Sequence, residues 1–289
     1  MKLVPVLVAL VVLLGSGCAS ADAGKTGDDG RMPVVAAFYP LQFVVERVGG
    51  VHVRVTGLTK PGVEPHDLEL TPRAVGSLAR AEAVVYLAGF QPAVDQAVRT
   101  QAPDAGVDVA PAARLTGKDP HFWLDPTRLA DVATALGQVL GRRDPANAGS
   151  YRANAAALGA ALDRLDAEFR TGLAQCRTRE LVTGHAAFGY LAHRYDLHQE
   201  GVAGVSPDIE PDAATLRDLS AHVRDAGVST VYTESLVSPA LAETVAREAR
   251  ARVAVLDPLE GITDASRGRD YLEVMRANLA TLRVGQECR

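Results

Sequence analysis

The chain has 289 residues and a formal net charge of −5 at pH 7, and only 5% of its residues are aromatic. An acidic balance without a cluster of lysine and arginine argues against nucleic acid or an anionic bilayer surface as the binding partner. The length is enough for two modest lobes or one large domain.

The first 18 residues read MKLVPVLVALVVLLGSGC: one lysine, an apolar run, and small residues that end in Cys18. This pattern is typical of an export signal and is too short for an ordinary membrane span. The site resembles a bacterial lipoprotein processing site, so we predict lipidation of Cys18 and a flexible tether over 19–32. A cleaved signal without a lipid remains the alternative. We therefore expect a protein anchored at the outer face of the cytoplasmic membrane.

From residue 33 onward, short β-branched segments alternate with longer amphipathic ones, which predicts parallel strands joined by helices. This alternation predicts four strands before residue 180 and four more from residue 180 onward. The predicted strands are 33–38, 52–58, 83–88, 106–110, 180–184, 197–202, 228–233 and 252–256. The sequence therefore predicts an α/β fold of two lobes, each with a four-stranded, mostly parallel sheet flanked by helices.

A capping residue followed by proline marks four helix starts, which are Thr71-Pro72, Asp125-Pro126, Asp144-Pro145 and Ser238-Pro239. Residues 144–176 carry alanine and leucine at helical spacing, without a breaker after the proline. This run predicts one rigid helix of about 30 residues, roughly 45 Å long, that would resist hinge bending. It divides the chain into an N-terminal lobe, 33–143, and a C-terminal lobe, 177–289.

Two cysteines remain after Cys18, namely Cys176 and Cys288. An even number in an oxidising compartment favours a disulfide, which would hold the C-terminal tail in place. Two unpaired thiols are the alternative. Neither cysteine belongs to a CxxC motif, so we expect no thiolate metal site.

Three of the seven histidines lie just beyond the carboxyl ends of predicted strands. They are His66 in KPGVEPHDLELTP, His121 in DPHFWLDP and His185 in LVTGHAAFGY. Asp257, in VAVLDPLEG, obeys the same rule. Because ligands bind at this edge of open parallel sheets, we expect the four side chains to meet between the lobes.

Three imidazoles and one carboxylate make a complete set of ligands for a divalent transition metal. Nitrogen donors favour Zn²⁺, whereas Mn²⁺ prefers more oxygen and a higher coordination number. Glu234, at the end of a strand, is predicted to orient His185, and Glu64 lies two residues before His66. We predict supporting roles for both glutamates, with direct ligation as the alternative.

Four ordered motifs, GVEPHDLELTP, DPHFWLDP, LVTGHAAFGYLAHRY and LDPLEG, resemble those of the metal-binding receptors of bacterial ABC importers, the zinc and manganese solute-binding lipoproteins. The resemblance covers about 33–284. It implies two α/β lobes bridged by a long rigid helix, with His66, His121, His185 and Asp257 around the metal. Members that favour manganese usually have a carboxylate at the third position, and His185 there implies zinc.

The resulting hypothesis is a monomeric, non-enzymatic receptor that binds Zn²⁺ outside the membrane and delivers it to an ABC permease. A manganese receptor of the same family is the first alternative. A zinc hydrolase is a second, but the chain has no HExxH motif and Asp257 would fill the open coordination position. A receptor for an organic solute is a third, which the low aromatic content does not favour.

Overall fold

The computed structural model describes residues 29–209 and 211–289. The predicted export signal, Cys18 and the tether up to residue 28 lie outside these ranges. Within the two ranges, none of the helices combines the length and the apolar character needed to cross a bilayer.

In the described part of the chain, eight strands form two four-stranded sheets in which all pairings are parallel. The N-terminal sheet has the order β2-β1-β3-β4, and the C-terminal sheet has the order β6-β5-β7-β8. The strands are β1 (Met32–Ala36), β2 (Val53–Gly57), β3 (Ala83–Tyr86), β4 (Gly106–Asp108), β5 (Glu180–His185), β6 (His198–Ala203), β7 (Thr230–Thr233) and β8 (Arg252–Val255). The predicted fold class is confirmed.

Helices flank both sheets. Those of the described residues are α1 (Tyr39–Gly49), α2 (Pro72–Leu78), α3 (Pro92–Gln101), α4 (Ala110–Ala113), α5 (Pro126–Arg143), α6 (Ala148–Gly172), α7 (Gly189–Tyr195), α8 (Ala213–Asp225), α9 (Ala240–Ala249) and α10 (Tyr271–Gly285). The helix between the lobes is α6, which has 25 residues and is about 37 Å long.

Two of the four Pro-marked helix starts are where the sequence puts them. The side chains of Thr71 and Asp125 accept N–H groups of the first turns of α2 and α5. At the third start, residues Pro145–Asn147 form a 3-10 turn, so α6 begins three residues later than predicted. At the fourth, α9 begins one residue after Pro239.

The predicted disulfide is present between Cys176 and Cys288. Cys176 lies shortly after α6, and Cys288 lies in the tail that follows α10. The bond therefore fastens the C-terminal tail to the end of the helix that links the lobes.

Buried apolar side chains form two clusters. The larger cluster runs without interruption through the N-terminal lobe, α6, α7 and α10, and contains large aromatic side chains such as Trp123, Phe169 and Tyr271. The smaller cluster lies under α8 and α9 on the outer side of the C-terminal sheet and contains only valine, leucine and alanine. The two lobes therefore share one continuous core.

Candidate metal centre

Four segments at or beyond the carboxyl ends of strands bring one potential ligand each to the junction of the lobes. His66 lies between β2 and α2, His121 lies just before α5, and His185 is the last residue of β5. Glu260 follows β8. One ligand atom from each of these residues lies within 4.8 Å of the other three.

Five of the six distances between the ligand atoms of this cluster are close to those of a tetrahedral shell. Nε2 of His121 lies 3.3 Å from Nε2 of His66 and 3.4 Å from Nε2 of His185. Oε1 of Glu260 lies 3.0 Å from the first two nitrogens and 3.6 Å from the third. Ligand bonds of about 2.0–2.1 Å in a tetrahedral zinc site separate neighbouring ligand atoms by about 3.3 Å. The four atoms can therefore share one ion with little movement.

The cluster is sealed on nearly all sides. The side chains of His121, His185 and Glu260 are 0% exposed, and that of His66 is 9% exposed. Among the described residues, Oε2 of Glu260 has no hydrogen-bond partner. Because an unpaired buried carboxylate oxygen is costly, a cation beside this carboxylate would offset the cost.

Two carboxylates orient the buried imidazoles. Oδ1 of Asp119 lies 2.7 Å from Nδ1 of His121, and Oε2 of Glu234 lies 2.5 Å from Nδ1 of His185. Each Nδ1 donates to its carboxylate, which leaves Nε2 as the nitrogen that faces the cluster and that can bind a cation once its own proton is displaced. Asp119 is not among the predicted site residues, although it lies two residues before the histidine in DPHFWLDP.

Glu64 lies beside the cluster and outside it. Its Oε2 accepts the backbone N–H of His66 at 2.9 Å, while its Oε1 is 3.9 Å from Nε2 of the same residue. The side chain therefore holds the loop that presents His66.

Asp257, the carboxylate that the sequence placed in the cluster, is engaged elsewhere. Its carboxylate accepts the N–H of Leu259 at 2.8 Å and the hydroxyl of Ser235 at 3.1 Å. Leu259 adopts a left-handed conformation with φ of 60°. The prediction is thus corrected: the first acid of LDPLEG is held in the turn, and Glu260 takes the place beside the histidines.

The electrostatics of the cluster follow from its burial. Burial alone would raise the pKa of Glu260, but hydrogen bonds from the three histidines hold that pKa well below its usual value. Burial alone would lower the pKa of His185, but hydrogen bonds to Glu234 and Glu260 raise it to about 10. The pKa of His121 is raised, against the effect of burial, by Asp119 and Glu260. The metal-free cluster therefore holds protons that a cation has to displace.

Carboxylates also line the approach to His66. Asp67 hydrogen-bonds with Asp208 of the C-terminal lobe, which raises the pKa of Asp67. Burial and the nearby Glu260 raise the pKa of Glu64. Acidic groups of this kind raise the local concentration of divalent cations.

Trp123 ties the loop of His121 to the loop of Glu260. Nε1 of Trp123 donates to the carbonyl of Pro258 at 2.8 Å, and the backbone carbonyl of Trp123 accepts the hydroxyl of Tyr271 at 2.5 Å. Its ring lies 5.1 Å from that of His121. The rigid DPHFWLDP segment thus belongs to the contact between the lobes.

Two α/β lobes with a buried cluster of three imidazoles and one carboxylate between them define a two-lobed metal-binding solute receptor. The profile described as "Zinc-uptake complex component A periplasmic" matches residues 34–285. The chain belongs to this family, whose members are uptake components and not enzymes.

Named relatives agree with this assignment. The chain is 32% identical to the zinc-binding lipoprotein AdcA of Streptococcus pneumoniae over 299 residues, which cover 94% of the chain and 60% of AdcA. It is 30% identical to the high-affinity zinc uptake system protein ZnuA of Bacillus subtilis, covering 95% of the chain and 93% of ZnuA. The chain therefore spans only part of the AdcA sequence but nearly all of ZnuA.

A solved structure gives the same picture. The Zn(II)-bound ZnuA-like domain of Streptococcus pneumoniae AdcA superimposes with a TM-score of 0.76 at 32% identity, covering 89% of the chain and all of that domain.

Proposed function

We propose that the protein captures Zn²⁺ outside the cytoplasmic membrane and delivers it to an ABC permease, with His66, His121, His185 and Glu260 as ligands. The observation that carries this proposal is the tetrahedral spacing of three imidazole nitrogens and one carboxylate oxygen in a buried site. A set with three nitrogen donors and four ligands favours zinc over manganese. The names of the relatives support the same ion.

The ion enters and leaves on the side of His66. This residue is the only one of the four whose side chain keeps contact with solvent, and the carboxylates of Asp67 and Asp208 lie next to it. The permease receives the ion from this side. Glu260 fills the fourth ligand position, which leaves no open place for a catalytic water, so the geometry does not favour a hydrolase.

The cellular location rests on the N-terminal sequence and on the relative that is named a lipoprotein. In this proposal the chain is exported, is lipidated at Cys18 and acts as a monomer at the outer face of the membrane. Labelling with a radioactive fatty acid tests the anchor, since the wild type should incorporate the label and a Cys18→Ala variant should not. If the wild type incorporated no label, the lipid anchor would be excluded.

Calorimetric titration of the chelator-treated protein with Zn²⁺ tests the ligand set. The wild type should bind one ion tightly. His121→Ala and Glu260→Gln should each weaken binding by at least about 100-fold, because each removes a direct ligand. His198→Ala is the control, since His198 is an exposed histidine that contacts Glu180 and is not part of the cluster.

Two results would refute the proposal. One is a wild-type protein that takes up no zinc, and the other is a His121→Ala variant that binds as tightly as the wild type. Competition between Zn²⁺ and Mn²⁺ in the same titration decides between the two ions.

A further inference from the structure

Asp257 is a buried acid that lies close to the metal cluster without belonging to it. The residue is 6% exposed, and both of its carboxylate oxygens accept hydrogen bonds. Oδ1 accepts from the N–H of Leu259 at 2.8 Å, and Oδ2 accepts from Oγ of Ser235 at 3.1 Å. Buried carboxylates are normally satisfied by hydrogen bonds, and the two donors show which segments Asp257 holds together.

The first donor belongs to the turn that carries Glu260. Leu259 is fully buried and has a φ of 60°, a backbone conformation that a leucine rarely adopts. Such a residue persists only where its surroundings hold it. The bond from its N–H to Asp257 fixes this turn, and the turn directs the next residue, Glu260, back to the histidines.

A second side chain clamps the same turn from α10. Asn278 is 3% exposed; its Oδ1 accepts the N–H of Asp257 at 3.0 Å, and its Nδ2 donates to the carbonyl of Asp257 at 2.7 Å. Both backbone polar groups of Asp257 are thus held by one amide. The start of the turn is therefore fixed to α10, the helix that packs against α6.

The second donor connects this turn to another ligand. Ser235 directly follows Glu234, and Glu234 accepts both the N–H and Nδ1 of His185. The hydrogen bond between Ser235 and Asp257 therefore joins the support of His185 to the support of Glu260. Two of the four cluster residues are held in one frame by Asp257.

We propose that Asp257 is a positioning residue that fixes Glu260 against the three histidines and thereby sets the preference for zinc over manganese. This inference rests on the proposed function. A carboxylate held at one place supplies one oxygen to a four-coordinate N₃O site, which suits zinc. A carboxylate that is free to move can offer both oxygens and admit water, which suits the higher coordination number of manganese.

The test compares three substitutions. Asp257→Ala removes both hydrogen bonds. Asp257→Asn keeps them, because the amide oxygen can accept from Leu259 and the amide nitrogen can donate to the Ser235 hydroxyl. Ser235→Ala breaks only the link between the two supports, and Ser220→Ala, which removes a buried hydroxyl bonded to Leu216 in α8, is its matched control.

Dissociation constants for Zn²⁺ and Mn²⁺ are measured by competition with a chromophoric chelator, and the visible absorption of the Co²⁺-loaded protein reports the coordination geometry. Asp257→Ala should weaken zinc binding by about 10–100-fold and manganese binding by less, and should reduce the intense tetrahedral cobalt bands. Asp257→Asn should restore both. Ser235→Ala should lower the ratio of zinc affinity to manganese affinity several-fold, whereas Ser220→Ala should leave this ratio unchanged.

The inference is overturned if Asp257→Ala changes both affinities equally or leaves them unchanged, or if Asp257→Asn is as impaired as Asp257→Ala. Should Asp257→Ala fail to fold, the comparison of Ser235→Ala with Ser220→Ala decides the question. Equal ratios of zinc affinity to manganese affinity in these two variants would overturn the inference. A wild-type protein that binds no zinc would instead refute the proposed function, so the two failures can be told apart.

Discussion

The hydroxyl of Tyr271 makes one of the buried hydrogen bonds that connect the two lobes, and its removal should destabilise the protein measurably. It donates to the carbonyl of Trp123 at 2.5 Å, and the ring of Tyr271 is fully buried and stacked on Phe43. Tyr271→Phe keeps the ring and removes only the donor. Loss of a partner for a buried carbonyl costs about 1–3 kcal/mol. With a urea m-value of about 2–3 kcal/mol/M, the unfolding midpoint should fall by roughly 0.3–1.5 M.

The chain supplies a matched control in Tyr232. This tyrosine is also fully buried, but its hydroxyl has no hydrogen-bond partner among the described residues. Tyr232→Phe removes an unsatisfied polar group, so it should leave the free energy of unfolding unchanged or raise it by up to about 1 kcal/mol, and the urea midpoint should stay the same or rise. The two substitutions delete the same atom from the same residue type, and only the hydrogen bond differs.

Urea unfolding of the chelator-treated protein measures both effects. Trp123 is the only tryptophan and lies at the bond in question, so its fluorescence reports the contact directly, while circular dichroism reports the helices. The two curves should coincide, which establishes a single cooperative transition. Equal midpoints for the two variants, or a greater loss for Tyr232→Phe, would refute the reasoning.

Two further predictions concern protons and the disulfide. Zinc binding at pH 7 should release at least one proton, measurable by calorimetry in buffers of different ionisation enthalpy, because the pKa of His185 is raised to about 10. The same shift stabilises the metal-free fold below about pH 6.5, and this contribution is lost as pH rises through about 10. Replacing Cys176 and Cys288 by serine opens a loop with a sequence separation of 112 and should cost about 2–5 kcal/mol in thermal unfolding. Zinc uptake without proton release, or an unchanged melting temperature, would contradict the respective prediction.

Much of the fold can be read from the sequence because its signals are local and repeated. The strands are short β-branched runs, and the parallel arrangement follows from the helical segments between them. Thr71 and Asp125 mark helix starts because a capping oxygen and a following proline act on the same turn. The convergence of three histidines follows from one rule, that loops at the carboxyl ends of strands meet at one edge.

The fourth member of the cluster and the partner of His121 depend on backbone geometry that the residue pattern does not predict. Asp257 and Glu260 both follow β8, and a rule of position alone selects the first. The choice of the second is made by the left-handed backbone of Leu259, a conformation for which sequence signals point to glycine or asparagine and not to leucine. Asp119 was missed for a similar reason, since its contact with His121 needs a loop that folds back over two residues.

The division of the buried apolar side chains into two clusters has a consequence for hydrogen exchange. The smaller cluster, under α8 and α9, is built from valine, leucine and alanine alone and has no aromatic side chain. It therefore buries less apolar area than the cluster shared by the lobes, and local opening costs less free energy there. Amide protons of α8 and α9 should exchange with deuterium ahead of those of α5 and α6, so the outer half of the C-terminal lobe should open before the core that the lobes share.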